Sequence, residues 1–331
     1  MRKVRTKIAA TSSSDQRRSA VRDAVELLQA GEAVALPTET VYGLAADALN
    51  SEAVAKIFEA KERPRFDPLI VHLHSTNALG KVATVRSEDR AIVEALIAEF
   101  WPGPLTIVLP KASAVPDLVT AGLETVAVRN SAHPLFNEII QAFGKPLAAP
   151  SANRFGRISP TSAQHVRDEL DGRIPLIVDG GRTNHGLEST IVRVVGNNIE
   201  ILRRGPITLE ALEKFGQVSI ADSDSPVIAP GQLSSHYAPG TKFLVVDNLE
   251  TFRIPAGSKV GALALRIRET PDAFSATQQL SAAGDLREAA TNLFRLMREL
   301  DSAKLDLIVA ELVPEEGSGA AINDRLRRAA S

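Results

Sequence analysis

Apolar residues recur along this chain with two different periods. From Asp15 to Ala30, Val21, Ala24, Val25 and Leu28 fall at i, i+3, i+4 and i+7, and Gly31 follows. That spacing predicts an amphipathic helix with a glycine stop. Similar patterns predict helices after Ser51 (Val54, Ile57, Phe58) and after Ser87 (Ile92, Val93, Leu96, Ile97, Phe100). Thr161 and Gln164 have capping-box spacing ahead of "HVRDEL". Short apolar runs predict strands at "EAVAL" (32–36), "LIVHL" (69–73), "LTIVL" (105–109), "TVAVR" (125–129), "PLAA" (146–149) and "PLIVD" (175–179). "STIVRVV" and "IEILRR" flank "GNN" and predict a hairpin. Strands and helices intermix without strict alternation, so a mixed sheet is expected rather than a doubly wound parallel one.

The pattern dissolves over 217–242, "QVSIADSDSPVIAPGQLSSHYAPGTK", where Ser, Asp, Pro and Gly dominate. This divides the chain into a mixed α/β domain over 15–216, a linker over 217–242 and a small domain over 243–331. In the last part "KFLVVD", "KVGALAL" and "DLIVAEL" alternate with helical stretches over 285–301 and 319–330, the signature of a small parallel, Rossmann-like α/β fold. No internal repeat is visible.

Composition narrows the function classes. The 331 residues are 44% hydrophobic and 24% charged, the balance of a globular enzyme. A formal net charge of -2 supplies no global basic field for nucleic acid. Cysteine is absent, which removes thiolate metal sites and thiol catalysis and suits a reducing cytoplasm. The basic, hydroxyl-rich "MRKVRTKIAATSSS" reads as a floppy N-terminal arm rather than a transit peptide. No apolar run approaches the roughly 20 residues of a membrane span.

A Walker-type phosphate loop is missing, and "GSGAAI" (317–322) lacks the third glycine of a dinucleotide fingerprint, so it reads as a loop and helix start. His72 and His74 share a strand face without a third ligand nearby in sequence, so no metal site is expected there. Three polar stretches remain. "LPTETVYGLAAD" (36–47) puts two threonines and a glutamate at a strand end; "KERPRFDPL" (61–69) carries Lys61, Arg63 and Arg65; "APSANRFGRISPTSA" (149–163) is rich in small hydroxyl and amide groups that suit an anion.

Together with "GLESTIV" (186–192), these stretches resemble the threonylcarbamoyl-AMP synthases of the YrdC-like superfamily over about residues 15–215. "APGQLSSHYAP" (229–239) and the α/β tail resemble the long two-domain branch of that family. The resemblance implies a nucleotidyltransferase that joins L-threonine, bicarbonate and ATP, with Mg²⁺ on the ATP, into threonylcarbamoyl-AMP and pyrophosphate. A tRNA threonylcarbamoyl transferase would be the downstream partner. It further implies that Lys61 and Arg63 neutralise phosphates and act in catalysis. Asp67, Thr125, Ser151, Asn153, Ser159, Arg203 and Tyr237 complete the ATP contacts. Thr40, His72, Arg129, Ala149 and Ser189 would line the threonine site, with the Arg129 fork facing the carboxylate. Glu39 and Tyr42 could shape that site, but a structural role is the favoured reading for both. Two positions depart from the family pattern: Asp67 stands where many members have asparagine, and "QLSS" lacks the basic residues often found before "HYAP", leaving His236 and Tyr237 as the linker's contacts. A module binding double-stranded RNA, even weakly, is the competing reading. The superfamily's carbamoyltransferase branch usually carries cysteine-rich zinc modules, and this chain has no cysteine.

Overall fold

The computed structural model describes residues 4–222, 228–231, 236–267 and 274–331. Contacts group the chain into two units: Met1–Phe155, Pro160–Thr183 and Glu188–Gln232 form the first, and Gly156–Ser159, Asn184–Leu187 and Leu233–Ser331 the second. No helix among the described residues is long and apolar enough to cross a membrane.

The first unit is built on strands β1 (Lys7–Ala9), β2 (Val34–Leu36), β3 (Gly43–Asp47), β4 (Ile70–His72), β5 (Leu105–Pro110), β6 (Thr125–Arg129), β7 (Leu147–Ala148), β8 (Leu176–Val178), β9 (Thr190–Val195), β10 (Asn198–Arg203) and β11 (Gln217–Ile220). Its helices are α1 (Ser14–Gln29), α2 (Ser51–Lys61), α3 (Arg90–Phe100), α4 (Asp117–Thr120), α5 (Pro134–Phe143), α6 (Ala163–Leu170) and α7 (Leu209–Leu212). The strands form one mixed sheet in the order β1-β8-β2-β3-β7-β4-β6-β5-β9-β10-β11. Its β9–β10 hairpin is antiparallel, as the "GNN" turn predicts.

Strand alternation sorts side chains onto two faces. Val71, Ile107, Val126, Val128, Val192 and Ile201 enter one large core with Val54, Ile57 and Phe58 of α2 and Val93 and Leu96 of α3. The opposite face carries two separate apolar clusters. Over β2, β7 and β8 it is covered by Ala20, Ala24 and Leu28 of α1 and by Leu135, Phe136, Ile139 and Ile140 of α5. Over β4, β5, β6, β9 and β10 the cluster of Ile70, Val108, Ala127, Ile191 and Leu202 is met by Ala229, with Ile228 against it, and includes no helix residue. Among the described residues this cluster has no helix of its own over it, and on this face a cleft can lie.

Three local expectations change. The arm expected at the N-terminus contains β1, which pairs in parallel with β8 and buries Ala9; composition reports side chains and misses backbone pairing. Residues 217–220, read as the start of the linker, form β11 alongside β10. The cap of α6 is Ser162, whose hydroxyl accepts from the His165 N–H, while Gln164 pairs with Asp168 on the helix surface. The first helix has the capping box instead, between Ser13 and Gln16.

The second unit carries β12 (Lys242–Val246), β13 (Val260–Ala264), β14 (Ala276–Gln279) and β15 (Leu307–Glu311), with helices α8 (Leu286–Ser302) and α9 (Gly319–Ala329). All strands are parallel, in the order β12-β15-β13-β14. "GSGAAI" is a loop and the start of α9, as expected.

Candidate functional site

Register places several of the expected residues in one line across the sheet. His72 on β4 lies opposite Arg129 on β6, and Arg129 lies opposite Thr106 on β5. Thr106 is paired with Ile191 on β9, which is paired in turn with Arg203 on β10. The last of these needs an irregularity. In an unbroken strand Arg203 would share the face of Ile199 and Ile201, which enter the large core. The register shifts between Ile201 and Arg203, so the arginine turns over to the cleft face beside Leu202. Gly205 then lets the chain pass the Glu188–Thr190 backbone, where a Cβ would come within 2.4 Å of the Thr190 nitrogen.

At one end of this line lies a charge-balanced pocket. Pro37–Tyr42 follows β2 as a loop. Its Thr38 hydroxyl donates to the Val41 carbonyl (2.6 Å) and accepts from the Thr40 and Val41 amides. Because the Thr38 proton is taken by Val41, the 2.8 Å contact between the two threonine hydroxyls is donated by Thr40. Arg129 donates to Thr40 Oγ1 (3.0 Å) and to the Gly103 carbonyl (3.2 Å), and it pairs with the Glu39 carboxylate at 2.7 Å. Ser131 donates to the other Glu39 oxygen. Burial pushes the Glu39 carboxyl up, but the Arg129 charge and these hydrogen bonds outweigh it and hold the group at about 2. His72, buried with its ring 4.9 Å from that of Phe136, is lowered to about 3, first by burial and then by the Arg129 charge. It is a neutral imidazole. Arg129 is thus oriented by three internal oxygens before any carboxylate arrives. Ala149 is buried, its amide bonded to the Ile70 carbonyl.

A second cluster is cationic. Lys61 is the last residue of α2, and Glu62 adopts left-handed geometry (φ 54°) that turns the chain so Arg63 folds back inward. The Lys61 ammonium is buried and donates to the Ser151 and Asn153 carbonyls, each at 2.5 Å. Burial and then the Arg63 charge lower its pKa well below the ordinary lysine value, against the pull of Asp67 and Glu169. Arg63 donates to the Asp67 and Pro68 carbonyls and pairs with the Asp67 carboxylate at 2.7 Å. Burial raises the Asp67 carboxyl, and the nearby charges of Arg63, Lys61 and Arg203 only partly offset this. Both Lys61 and Asp67 are therefore pushed toward their neutral forms. Arg203 donates to the Ser189 carbonyl and hydroxyl (both 3.0 Å) and to the Pro230 carbonyl (3.3 Å). Ser189 also meets Thr106 Oγ1 at 2.7 Å.

The other expected residues are more scattered. Thr125 begins β6, on the same face as Arg129 but at the other end of the strand, roughly 13 Å away at ordinary strand rise. Ser151 is half-buried and bridges to Gly43, and Asn153 donates to the Arg154 carbonyl. Ser159 and Tyr237 belong to the second unit. There Tyr237 is fully buried, its ring stacked on Phe294 at 5.4 Å with the Arg325 guanidinium 5.0 Å over it. Its neighbour His236 lies edge-on at 4.1 Å. Tyr42, for which a structural role is the favoured reading, donates to the Gly181 carbonyl and ties the loop to the chain after β8. Thr106 was not singled out from the sequence; the one available signal is a lone hydroxyl inside the apolar run "LTIVL". Among the described residues no group of three His, Cys, Asp or Glu side chains could hold a metal ion.

The comparisons with known proteins point one way. Residues 26–205 match the family model described as Telomere recombination, of the Sua5, YciO and YrdC proteins, and residues 207–331 match the threonylcarbamoyl-AMP synthase C-terminal domain. The chain is 40% identical over 327 residues to the threonylcarbamoyl-AMP synthase of Pyrococcus abyssi, covering 93% of each. It is 40% identical to that of Bacillus subtilis, covering 94% of this chain and 92% of the relative. The crystal structure of P. abyssi Sua5 complexed with L-threonine superposes with a TM-score of 0.86 at 38% identity, over 98% of this chain and 97% of that one. The chain belongs to the threonylcarbamoyl-AMP synthase family, enzymes of the nucleotidyltransferase type that form an adenylate.

Proposed function

We propose that this enzyme makes L-threonylcarbamoyl-AMP and pyrophosphate from L-threonine, bicarbonate and ATP, for threonylcarbamoyladenosine modification of tRNA. The observation that supports this reading most is the register line joining His72 and Arg129 of the balanced pocket to Arg203 of the cationic cluster. Threonine sits in the pocket, its carboxylate toward Arg129. The Thr40 hydroxyl, having given its proton to Thr38, accepts from a substrate N–H or O–H. The phosphates of ATP lie toward Lys61, Arg63 and Arg203.

The amine takes up bicarbonate carbon as a carbamate with loss of water. A carbamate oxygen then attacks the α-phosphorus, and pyrophosphate leaves with the electrons of the broken P–O bond. No protein nucleophile is required; the chain supplies alignment and positive charge. Mg²⁺ enters with the ATP phosphates. The product passes to a tRNA threonylcarbamoyl transferase in the cytoplasm.

The test is pyrophosphate release with ATP and Mg²⁺, leaving out threonine and bicarbonate in turn. Release is expected only when all are present. Equal ATP turnover without threonine would end this reading. A salt-dependent gel shift with double-stranded RNA in a chain lacking that turnover would favour the RNA module.

A further inference from the structure

We infer that Thr106 is a positioning residue that fixes Ser189 as a hydrogen-bond donor toward the substrate; this rests on the reading of the site given above. Thr106 is fully buried at the centre of the register line, between Arg129 and Ile191. Its neighbours on the strand, Leu105, Ile107 and Leu109, enter the apolar core on the other face, so its hydroxyl is the one polar side-chain group β5 sends to the cleft side.

The proton inventory gives this hydroxyl a direction. A guanidinium has only donors, so in the 3.0 Å contact Arg203 donates and Ser189 Oγ accepts. The Thr106 hydroxyl contacts Ser189 Oγ at 2.7 Å and has no other hydrogen-bond partner among the described residues. Both hydroxyls are fully buried and either can donate in this contact. Only Ser189, read above as lining the threonine site, gains a second acceptor for its proton when substrate binds, whereas the Thr106 proton has Ser189 Oγ alone. Thr106 therefore donates to Ser189. With both lone pairs of Ser189 taken, by Arg203 and Thr106, its own proton has to point elsewhere, into the cleft. The serine then suits an oxygen acceptor such as a carboxylate and disfavours an ammonium group. Thr40 across the pocket is set the opposite way, as an acceptor. The two hydroxyls give the pocket a polarity that matches one orientation of an amino acid and opposes the reversed one.

Removing the Thr106 hydroxyl opens a lone pair on Ser189 and lets its proton rotate. Thr106→Val keeps the β-branched shape that a strand favours. The expected result is a threonine KM raised roughly tenfold, the scale of one hydrogen bond to a charged group. The KM for ATP should stay within about twofold, the thermal midpoint should hold, and Thr106→Ser should restore the wild-type value. Thr106→Ala is the second variant should the valine not fold. In a double-mutant cycle, Thr106→Val should add nothing in the Ser189→Ala background, because its effect runs through that hydroxyl. An unchanged threonine KM in a folded Thr106 variant, or full additivity with Ser189→Ala, would overturn the inference. So would equal losses for threonine and ATP, which a purely structural role gives. If the wild-type chain itself shows no threonine-dependent turnover, the reading of the site fails first and takes the inference with it.

Discussion

The two polar clusters of the first unit are buried to a similar degree and solve opposite electrostatic problems. Around Arg129 each charge has its counter-charge in place: Glu39 is paired at 2.7 Å, and its carboxyl is held at about 2. Around Lys61 burial dominates instead. Lys61, Arg63 and Arg203 lie close to the Asp67 carboxylate, Glu169 also acts on Lys61, and burial pushes both Lys61 and Asp67 toward neutrality. A pocket of the first kind is rigid before binding and selects by hydrogen-bond direction. A pocket of the second kind is held in an unfavourable state that an incoming polyanion relieves. That division fits a site where one substrate must be recognised and the other must be activated.

The comparison predicts that substitutions in the two clusters fail differently. Lys61→Met removes the ammonium but keeps most of the volume. Turnover measured by pyrophosphate release should fall about 100-fold or more, since in the proposed reaction the lost charge faces the transferring phosphate. The thermal midpoint should move little, because the desolvation of the lysine disappears along with its two carbonyl bonds. Glu39→Gln should do the reverse. It leaves the Arg129 charge buried without compensation, a change that costs about 3 kcal/mol in chemical denaturation. Threonine affinity should fall, while ATP affinity holds. A stable Glu39→Gln with dead chemistry, or an unfolded Lys61→Met with normal chemistry per folded molecule, would break the comparison.

Sequence periodicity located most of this framework because the core strands are short apolar runs and the helices carry regular stripes. It also brought the polar stretches to notice, since hydroxyls and charges at strand ends have no packing purpose. It did not show how they are wired. The inward turn of Arg203 depends on a register shift between Ile201 and Arg203, and no single residue type encodes that shift. The neutralisation of Arg129 by Glu39 joins residues 90 positions apart in sequence across two elements, so spacing could not reveal it. Strand β1 was hidden for a different reason, since "KIA" gains its stability from backbone pairing with β8 rather than from its side chains.

A smaller effect is expected from pH, and it reports on the balanced pocket alone. His72 is lowered from 6.5 to about 3, by burial first and then by Arg129. The folded protein therefore keeps a neutral imidazole where the unfolded chain takes up a proton. The stabilising contribution is complete above about 6.5 and is lost as the pH falls toward 3. Between pH 7 and pH 5 this amounts to about 2 kcal/mol. Glu39 acts in the same direction, but only between about 4.5 and about 2, so it lies outside that range. Denaturation midpoints of wild type and His72→Gln should converge by that amount on acidification from pH 7 to pH 5. Parallel behaviour would mean that His72 takes up its proton in the folded state and the pocket is less sealed than its geometry indicates.

The smallest effect concerns Asp67, the carboxylate that pairs with Arg63 in the cationic cluster. It pairs with Arg63 and sits within the field of Lys61 and Arg203. Two roles fit that position. The carboxylate can orient Arg63 while partly cancelling its charge, or it can reach the Mg²⁺ that accompanies ATP. In the structure both Arg63 contacts to the 67–68 backbone carbonyls are independent of the carboxylate, so Asp67→Asn should leave the guanidinium in place. With one negative charge gone and three cations retained, ATP should bind roughly fivefold tighter at low salt without Mg²⁺, a gain near 1 kcal/mol that added salt should shrink. Titration calorimetry with and without the metal separates the two roles. Tighter binding in the absence of Mg²⁺ identifies Asp67 as a charge that tempers the arginine. A raised Mg²⁺ requirement at unchanged metal-free affinity would instead assign the carboxylate to the metal. Indifference to both would place it outside the nucleotide's reach and leave the cluster with a stronger field than the comparison supposes.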